Sequence, residues 1–221
     1  YFHKNVPNFG TFFYFYTMSK TTFLKQLAQT IIKKHSENLS DVVIILPNRR
    51  AKVFLINELQ LATDKTIFAP EITSIEDFIQ TISGIRSIDS VELLFEFYEV
   101  YCKVEEQDKL DEFENFANWA KTLLQDFNEI DRYLLDPNKI LKYLENIKEI
   151  EHWSVDSNKK TNLIEKHLLF WKKLPLYYHS FYKHLFNKGI GYQGLIYREA
   201  KENLKNYTDN LKNKIFIFAG F

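Results

Sequence analysis

Two short apolar runs, far apart along the chain, most constrain what this sequence can fold into. Val42–Leu46 consists of five aliphatic residues, and residues 214–221 form a second apolar run that ends in Gly-Phe. Continuous apolar runs of this kind are typical of strands buried on both faces of a parallel sheet. Because such strands need neighbours, we expect both runs in one sheet. We also expect the chain to be truncated, with the protein continuing beyond Phe221.

The sequence around the first run alternates between helical and strand-like patterns. Apolar residues recur at helical spacing over residues 21–35 and again over 51–61. Residues 66–72 are β-prone, and Thr73-Ser74 is expected to cap a helix that stops near Gly84. In the second helix the apolar set is predicted to be Val53, Phe54, Ile56 and Leu59. This alternation predicts an α/β fold with a mostly parallel sheet.

The long segment between the two apolar runs has helical periodicity and almost no strand pattern. The predicted helices cover residues 89–104, 112–134, 137–147, 160–187 and 193–207. Pro175 is expected to kink or split the fourth of them. The simplest architecture is one sheet with an inserted helical domain. Its parts are an upstream segment (1–17), an α/β part (18–88), the inserted helical domain (89–207) and a return strand (208–221).

The bulk properties restrict the function classes. The chain has 221 residues and zero formal net charge, so any contact with DNA must come from a local basic patch. The single cysteine, Cys102, excludes an internal disulfide and an all-cysteine metal site, and its apolar surroundings predict buried packing. No apolar run reaches the ~18 residues of a membrane-spanning helix. We therefore predict a cytoplasmic protein with no membrane partner.

The first 17 residues contain eight aromatic side chains and no basic region. They make a poor signal peptide, since a small-residue cleavage site is also missing. The favoured interpretation is upstream sequence translated in frame, with Met18 as the true start. The alternative is an authentic strand of a preceding segment.

An ATP site would need a glycine-rich loop, whose backbone N–H groups close around phosphate. No glycine lies between Gly10 and Gly84, and the nearest remnant is Lys20-Thr21 before the first helix. Helix capping explains that remnant more simply. ATPases of this class end a later strand in a magnesium-binding acid, whereas this chain has Ala219 there. Lys20, Thr21 and Ala219 thus form at most a degenerate nucleotide site, and we expect no ATP hydrolysis.

Metal and nuclease patterns are equally weak. The six histidines show no zinc-type spacing, so solvated or core positions are predicted for them. Glu199-Ala200-Lys201 is the one acid-x-lysine pattern, and its helical setting suggests a surface charge pair. The carboxylates of Asp126, Glu129 and Asp131 are predicted to form a solvated or partner-facing edge. We assign no metal ligand and no catalytic residue.

One tripeptide does suggest a ligand. Asn48-Arg49-Arg50 directly follows the strand Val42–Leu46, at its carboxyl end. Ligands of open α/β sheets gather at the carboxyl ends of strands. Asn and Arg beside a helix N-terminus suit phosphate oxygens. The alternative, that both arginines only solvate the start of a helix, remains open.

Several segments together resemble one family. Residues 41–51 resemble the strand and loop of helicase motif Ia, and residues 70–78 resemble the motif that follows it. Residues 123–134 and 197–200 resemble stretches of an inserted helical domain. Residues 216–221 lie where related proteins keep a degenerate Walker B strand. In this order the segments are similar to the AddB-type subunit of bacterial helicase–nucleases, the form with a C-terminal PD-(D/E)XK nuclease domain.

The resemblance implies a RecA-like, P-loop NTPase-type domain interrupted by a helical domain. It implies a role in DNA double-strand-break repair with a helicase partner subunit, and DNA contacts through Asn48, Arg49, Arg50 and Thr73. Mg²⁺ and ATP would serve the full-length complex, with none bound by this chain, and the nuclease would lie in further sequence. The leading hypothesis is a non-catalytic, DNA-binding scaffold. The alternatives are an NTPase completed by other sequence and a helical adaptor without a DNA role.

Overall fold

The structure is a computed structural model that describes residues 21–64, 66, 68–154, 162–211 and 213–221. The expectations for residues 1–17, Met18 and Lys20 lie outside these ranges. The chain forms two compact units, an α/β unit (Tyr1–Ile82 with Leu204–Phe221) and a helical unit (Ser83–Asn203). The predicted divisions, at 88/89 and 207/208, lie a few residues from these boundaries.

In chain order the helices and strands are α1 (Phe23–His35), β1 (Val42–Leu46), α2 (Arg49–Leu61), β2 (Glu71–Ser74), α3 (Ile75–Ser83), β3 (Arg86–Ser87), α4 (Ser90–Val104), α5 (Phe113–Arg132), α6 (Pro137–Ser154), α7 (Asn162–Lys188), β4 (Ile190–Gly191), α8 (Gln193–Asp209) and β5 (Ile215–Phe218). The fold is therefore α/β and mostly helical. No helix in the described part of the chain combines the length and the apolar character needed to cross a membrane.

The two apolar runs lie side by side in one parallel sheet, as predicted. The strand order is β2-β1-β5, and Ile44 of β1 lies opposite Ile72 of β2 and Ile217 of β5. Every residue of β1 is buried, which confirms the prediction of a buried strand at Val42–Leu46. The same prediction is wrong for β5, in which only Ile217 is buried, because this strand lies at an edge of the described sheet.

Helices cover both faces of the sheet. On one face, Ile44 and Leu46 pack with buried residues of α1 and α2, including Leu27 and Leu55. On the other face, the ring of Phe78 from α3 lies against Phe216 and Phe218 of β5, with ring centroids 5.8 and 6.0 Å apart. The alternation of side chains along each strand produces the two packed faces.

Two local predictions in this unit are wrong. The second strand covers Glu71–Ser74 rather than 66–72, so Thr73 belongs to the strand and Ser74 alone caps α3. In α2 the buried side chains are Leu55 and Leu59, whereas Val53, Phe54 and Ile56 are exposed. Apolar residues occur on both sides of this helix, so periodicity could not identify the face that packs on the sheet.

The helical unit confirms the five predicted helices, with ends shifted by a few residues except in α6, which extends to Ser154. Its centre contains four fully buried phenylalanines, Phe97, Phe116, Phe127 and Phe181. Pro175 does not split α7, which is continuous from Asn162 to Lys188. Buried neighbours such as Tyr177 and Tyr178 anchor that segment, and this packing offsets the ~3 kcal/mol helix cost of proline. Cys102 is half-buried rather than buried.

The two ends of the helical unit lie next to each other. β3 and β4 form a two-residue parallel pair that sequence patterns did not predict, with Arg86 opposite Ile190. The side-chain amide of Asn203 donates to the carbonyl of Ser83 at 3.3 Å. The chain thus enters and leaves this unit at one place.

Helix α5 ends in a left-handed turn built on a leucine. Leu134 has φ 54°, and its N–H donates to the Asp131 carbonyl at 3.0 Å. The Leu135 N–H donates to the Ile130 carbonyl at 2.9 Å. This is the Schellman motif, in which glycine is the usual left-handed residue. A leucine there keeps the hydrogen bonds but strains the backbone, by ~1–2 kcal/mol.

We expect Leu134→Gly to raise the free energy of unfolding by about 1 kcal/mol, because the strain is relieved at a side chain that is 45% exposed. Urea unfolding of the 221-residue chain measures the change. Leu135→Gly is the matched control and should destabilise, since Leu135 lacks a positive φ. Loss of stability in Leu134→Gly would contradict the strain at this turn.

Candidate functional site

Helix starts gather at the carboxyl edge of the parallel sheet. α2 and α3 follow β1 and β2 directly, and each is capped by a side chain. The Oδ1 of Asn48 accepts the Ala51 N–H at 3.0 Å, and the Oγ of Ser74 accepts the Asp77 N–H at 3.2 Å. The first N–H groups of a helix lack partners within the helix and carry partial positive charge. This edge therefore presents two adjacent positive helix ends.

Helix α1 begins at the same edge. Gly220, after β5, has φ +87°, and a Cβ built on it would lie 3.5 Å from both Phe23 and Pro47. Phe23 is the first residue of α1, and Pro47 directly follows β1. The Oγ1 of Thr22 caps this helix by accepting the Lys25 N–H at 3.3 Å. A third capped helix start thus lies next to the other two.

An ion pair joins the starts of α2 and α3. Arg49 donates from Nε to Asp77 Oδ2 at 3.0 Å and from Nη2 to Oδ1 at 2.5 Å. The Oγ of Ser74 donates to Asp77 Oδ2 at 2.7 Å. The hydrogen bonds from Arg49 and then Ser74 hold the pKa of Asp77 below its usual range, so it remains a carboxylate. Asp77 thereby fixes the orientation of Arg49 and uses two of its five N–H donors.

Arg50 has no such partner. Its side chain is exposed, and it forms no ion pair with any residue that the structure describes. The first turn of α2 contains no acidic residue, although cations at a helix N-terminus are unfavourable. Asp77 compensates Arg49, while Arg50 and the exposed Lys52 add further positive charge. Unfavourable charges that no neighbouring residue neutralises are expected at functional sites. An anionic ligand would neutralise the positive charge at the start of α2.

The other two predicted DNA-binding residues have structural roles as well. Asn48 is the N-cap of α2, so its Oδ1 is engaged in the helix. Thr73 is half-buried in β2, and its hydroxyl points to the Ser74 carbonyl at 3.4 Å. Ser74 rather than Thr73 contacts Asp77. The Ser-x-x-Asp spacing, which is a capping-box pattern, could have identified Ser74 and Asp77 from the sequence.

The degenerate nucleotide site falls partly within the described residues. Thr21 accepts a hydrogen bond from Gln26 Nε2 at its Oγ1, at 2.8 Å. Ala219 is buried, and its N–H donates to the Ile45 carbonyl at 3.0 Å, extending the pairing of β5 with β1. Both residues lie beside the start of α1. Thr21 directly precedes Thr22, the N-cap of this helix, and Ala219 directly precedes Gly220, which lies close to Phe23. The methyl group of Ala219 offers no ligand atom to a metal ion.

In the helical unit, two carboxylates predicted at the surface are buried. Asp131 is fully buried and accepts hydrogen bonds from Tyr178, from Tyr192 at 2.5 Å and from Arg198 Nε at 2.6 Å. Glu199 is also buried and accepts a hydrogen bond from a tyrosine hydroxyl. Burial raises the pKa of Tyr178 and Tyr192, and the negative charge of Asp131 raises it further. Both hydroxyls therefore remain protonated and act as hydrogen-bond donors. These contacts hold helices together.

A group of possible metal ligands in the same unit is already balanced by lysines. Ligand atoms of Glu96, Glu99 and His184 lie within 4.8 Å of one another. The ammonium of Lys188 is 2.6 Å from Glu96 and 3.2 Å from Glu99. Lys103 is 2.6 Å from Glu99, and its hydrogen bond is the main reason that the pKa of Glu99 falls to about 2. We assign the cluster to packing between α4 and α7.

Comparison with protein-family models and with curated proteins finds no match to this chain. The function is therefore inferred from its own residues.

Proposed function

We propose that this chain is a non-catalytic, helicase-like region that binds the phosphate backbone of DNA at the carboxyl edge of its sheet. The observation that carries the proposal is the exposed Arg50 at the positive end of α2, beside the Arg49–Asp77 pair. Because the chain has no net charge, a local basic site of this kind is what attraction of a polyanion requires.

The arrangement suits phosphate in three ways. Backbone N–H groups at the starts of α2 and α3 favour an anion. Arg49 is held in place by Asp77 with three donors remaining, and Arg50 is exposed next to it. Contacts of this type position a nucleic acid without reading its sequence. They fit a scaffold that holds a strand while other subunits act on it.

The wider proposal rests on the resemblance to the AddB-type subunit. The resemblance implies a RecA-like fold for the α/β unit and a role in a bacterial helicase–nuclease for double-strand-break repair, with a helicase partner subunit. Ala219 in place of a magnesium-binding acid, and the lack of glycine between Gly10 and Gly84, support a non-catalytic role in ATP chemistry.

We expect Arg50→Ala to weaken single-stranded DNA binding and to reduce its salt dependence. If Arg50 neutralises one phosphate, the slope of log affinity against log salt should fall by about 0.7, and by up to ~1.4 in the variant that also carries Arg49→Ala. Fluorescence anisotropy of a labelled oligothymidylate, titrated with the 221-residue chain over a salt series, measures the slope.

Arg132→Ala is the matched control. Arg132 is a half-exposed arginine of the helical unit, 3.9 Å from Glu129, and its replacement removes the same charge. Equal slopes for wild type and Arg50→Ala would mean that the two arginines only solvate a helix start. A complete lack of DNA binding would favour the helical-adaptor alternative, and calorimetric binding of ATP would favour the NTPase alternative.

A further inference from the structure

The solvent side of α2 carries large apolar side chains. Phe54 is 63% exposed and Leu61 is 74% exposed, and Val53 beside them is exposed as well. Leu55 and Leu59 of the same helix are buried in the core of the α/β unit. Contiguous apolar side chains at a surface mark an interaction site. This side of α2 is therefore a candidate interface.

The exposed residues follow the spacing of a seam between two helices. Arg50, Phe54, Asn57 and Leu61 are four, three and four residues apart, and Asp64 follows after three more. Alternate steps of three and four keep residues on one side of a helix, as at the a and d positions of paired helices. All five side chains are exposed, and Asp64 lies three residues beyond the last residue of the helix. We call these five residues the α2 stripe.

The α2 stripe is complementary to its own reverse. When two copies lie antiparallel with Asn57 opposite Asn57, Arg50 of one copy comes next to Asp64 of the other. Phe54 comes next to Leu61, because these two residues lie three and four positions from Asn57. The two Asn57 amides can donate to and accept from each other, and a polar residue at such a position fixes the register. A parallel pair would place like charges together, which is unfavourable.

We propose that this chain associates with a second copy of itself through the α2 stripes, as an antiparallel pair with two-fold symmetry. Such a contact uses the same surface on both copies. Charge favours a second copy as the occupant, since it supplies the opposite charge at both ends of the stripe. Within the part of the chain that the structure describes, neither Arg50 nor Asp64 forms an ion pair.

The inference does not depend on DNA binding. Arg50 can contact either a phosphate or the Asp64 carboxylate of the other copy, so the two associations compete for this residue. The 13 residues of α2 span about 20 Å. Two helices of this length bury less area than a standard interface, so the association should be weak.

Sedimentation equilibrium of the DNA-free, 221-residue chain measures the association, over about 1–200 μM protein because the interface is small. Phe54→Ala should weaken the dimer by roughly 30-fold, since each dimer loses two aromatic anchors and each loss costs at least ~5-fold. Phe95→Ala is the matched control. Phe95 of α4 is 57% exposed and lies outside the α2 stripe, so the association should not change. A chain that stays monomeric throughout, or an unweakened Phe54→Ala dimer, would overturn the inference.

Charge reversal tests which residues meet. Arg50→Asp and Asp64→Arg should each weaken the dimer by on the order of 10-fold, because like charges then lie together at both ends. The variant that carries both changes should dimerise as the wild type does, since each pair is restored with reversed sign. A double variant as weak as the single ones would show that Arg50 and Asp64 do not meet.

A cysteine at the two-fold axis tests the register directly. In a Cys102→Ser background, Asn57→Cys should form a disulfide-linked dimer on mild oxidation, because residues at the axis can come within the ~7 Å Cα separation that a disulfide allows. Gln60→Cys is the control on the same exposed side. Its two copies would lie about 9 Å apart along the helix axis, so its thiols should stay reduced. Cross-linking at position 60 but not at 57 would contradict the register.

Asp64→Arg separates this inference from the proposed function. Asp64 lies beyond the opposite end of α2 from Arg50, so this variant should lose the dimer and keep the Arg50-dependent part of single-stranded DNA binding. If it dimerises unchanged while Arg50→Ala weakens DNA binding, self-association through the stripe is wrong and the phosphate site stands. If the dimer forms as proposed but DNA binding does not depend on Arg50, the proposed function fails and the dimer stands.

Discussion

Asp131→Ala is expected to lower the free energy of unfolding of the helical unit by about 3–5 kcal/mol, which is typical when one partner of a buried ion pair is removed. Arg198 would then lose its carboxylate, and the hydroxyls of Tyr178 and Tyr192 would lose their acceptor. Arg198 also donates to the carbonyls of Ile130 and Leu135 at the end of α5, at 3.1 and 2.6 Å. Loss of Asp131 should therefore loosen the contact of α5 with α7 and α8.

Tryptophan fluorescence during urea unfolding isolates this effect, because Trp119, Trp153 and Trp171 all belong to the helical unit. Asp126→Ala is the matched control on the same helix. Its exposed side chain predicts a change within about 0.5 kcal/mol. Replacing both buried partners, as Asp131→Leu with Arg198→Met, should recover part of the loss because no unpaired charge remains, while the hydroxyls of Tyr178 and Tyr192 still lack their acceptor. An unchanged unfolding midpoint for Asp131→Ala would contradict the importance of this buried group.

Gly194→Ala is expected to lower the free energy of unfolding of the helical unit by more than about 3 kcal/mol, or to prevent its folding. A loss of this size is at or beyond the upper end of the usual cost of overpacking a core. A Cβ on Gly194 would lie 2.2 Å from the carbonyl oxygen of Asn128 and 2.9 Å from the backbone nitrogen of Arg132. Both are backbone atoms of α5, so relief would require a shift of the whole helix. The Gly194 N–H also donates to the Asn128 side chain at 2.8 Å, which fixes the start of α8 there.

Gly189→Ala provides the comparison for this second variant. Gly189 has φ +64° and open space around its Cβ position, so the cost is backbone strain alone, ~1–2 kcal/mol. Thermal unfolding and soluble yield of the two variants rank the effects. Equal stability of the two alanine variants would show that α8 can move away from α5, and the close approach would not be a requirement of the fold.

Sequence patterns predicted the parts of this structure that depend on neighbours along the chain. The helical periods of α1, α5 and α8 follow from the burial of one side of each helix, and β1 and β5 could be recognised as apolar strands. The burial of Asp131 was missed, since its partners Tyr178 and Tyr192 come from positions 47 and 61 residues away. Asp131 lies four residues after the buried Phe127, so both share one side of α5, and this spacing could have indicated that Asp131 is buried.

The candidate site shows the same limit. The position of Asn48-Arg49-Arg50 at the end of a strand was sufficient to locate the site at the sheet edge. The difference between the two arginines was not visible, because Asp77 is 28 residues from Arg49. The exposed side of α2 was also assigned wrongly, since Phe54 and Leu55 are adjacent and both apolar. Which of them faces the sheet depends on how the helix docks.

The adjacent ends of the helical unit have a consequence for the order of folding. β1 acquires β5 as a neighbour only after about 170 intervening residues, and closing so long a loop slows folding. Once the helical unit has folded, the Ser83–Asn203 hydrogen bond and the β3–β4 pair hold its two ends together. The effective loop between β1 and β5 is then far shorter. Early folding of the insertion should accelerate completion of the sheet, so a variant such as Asp131→Ala should delay the pairing of β1 with β5.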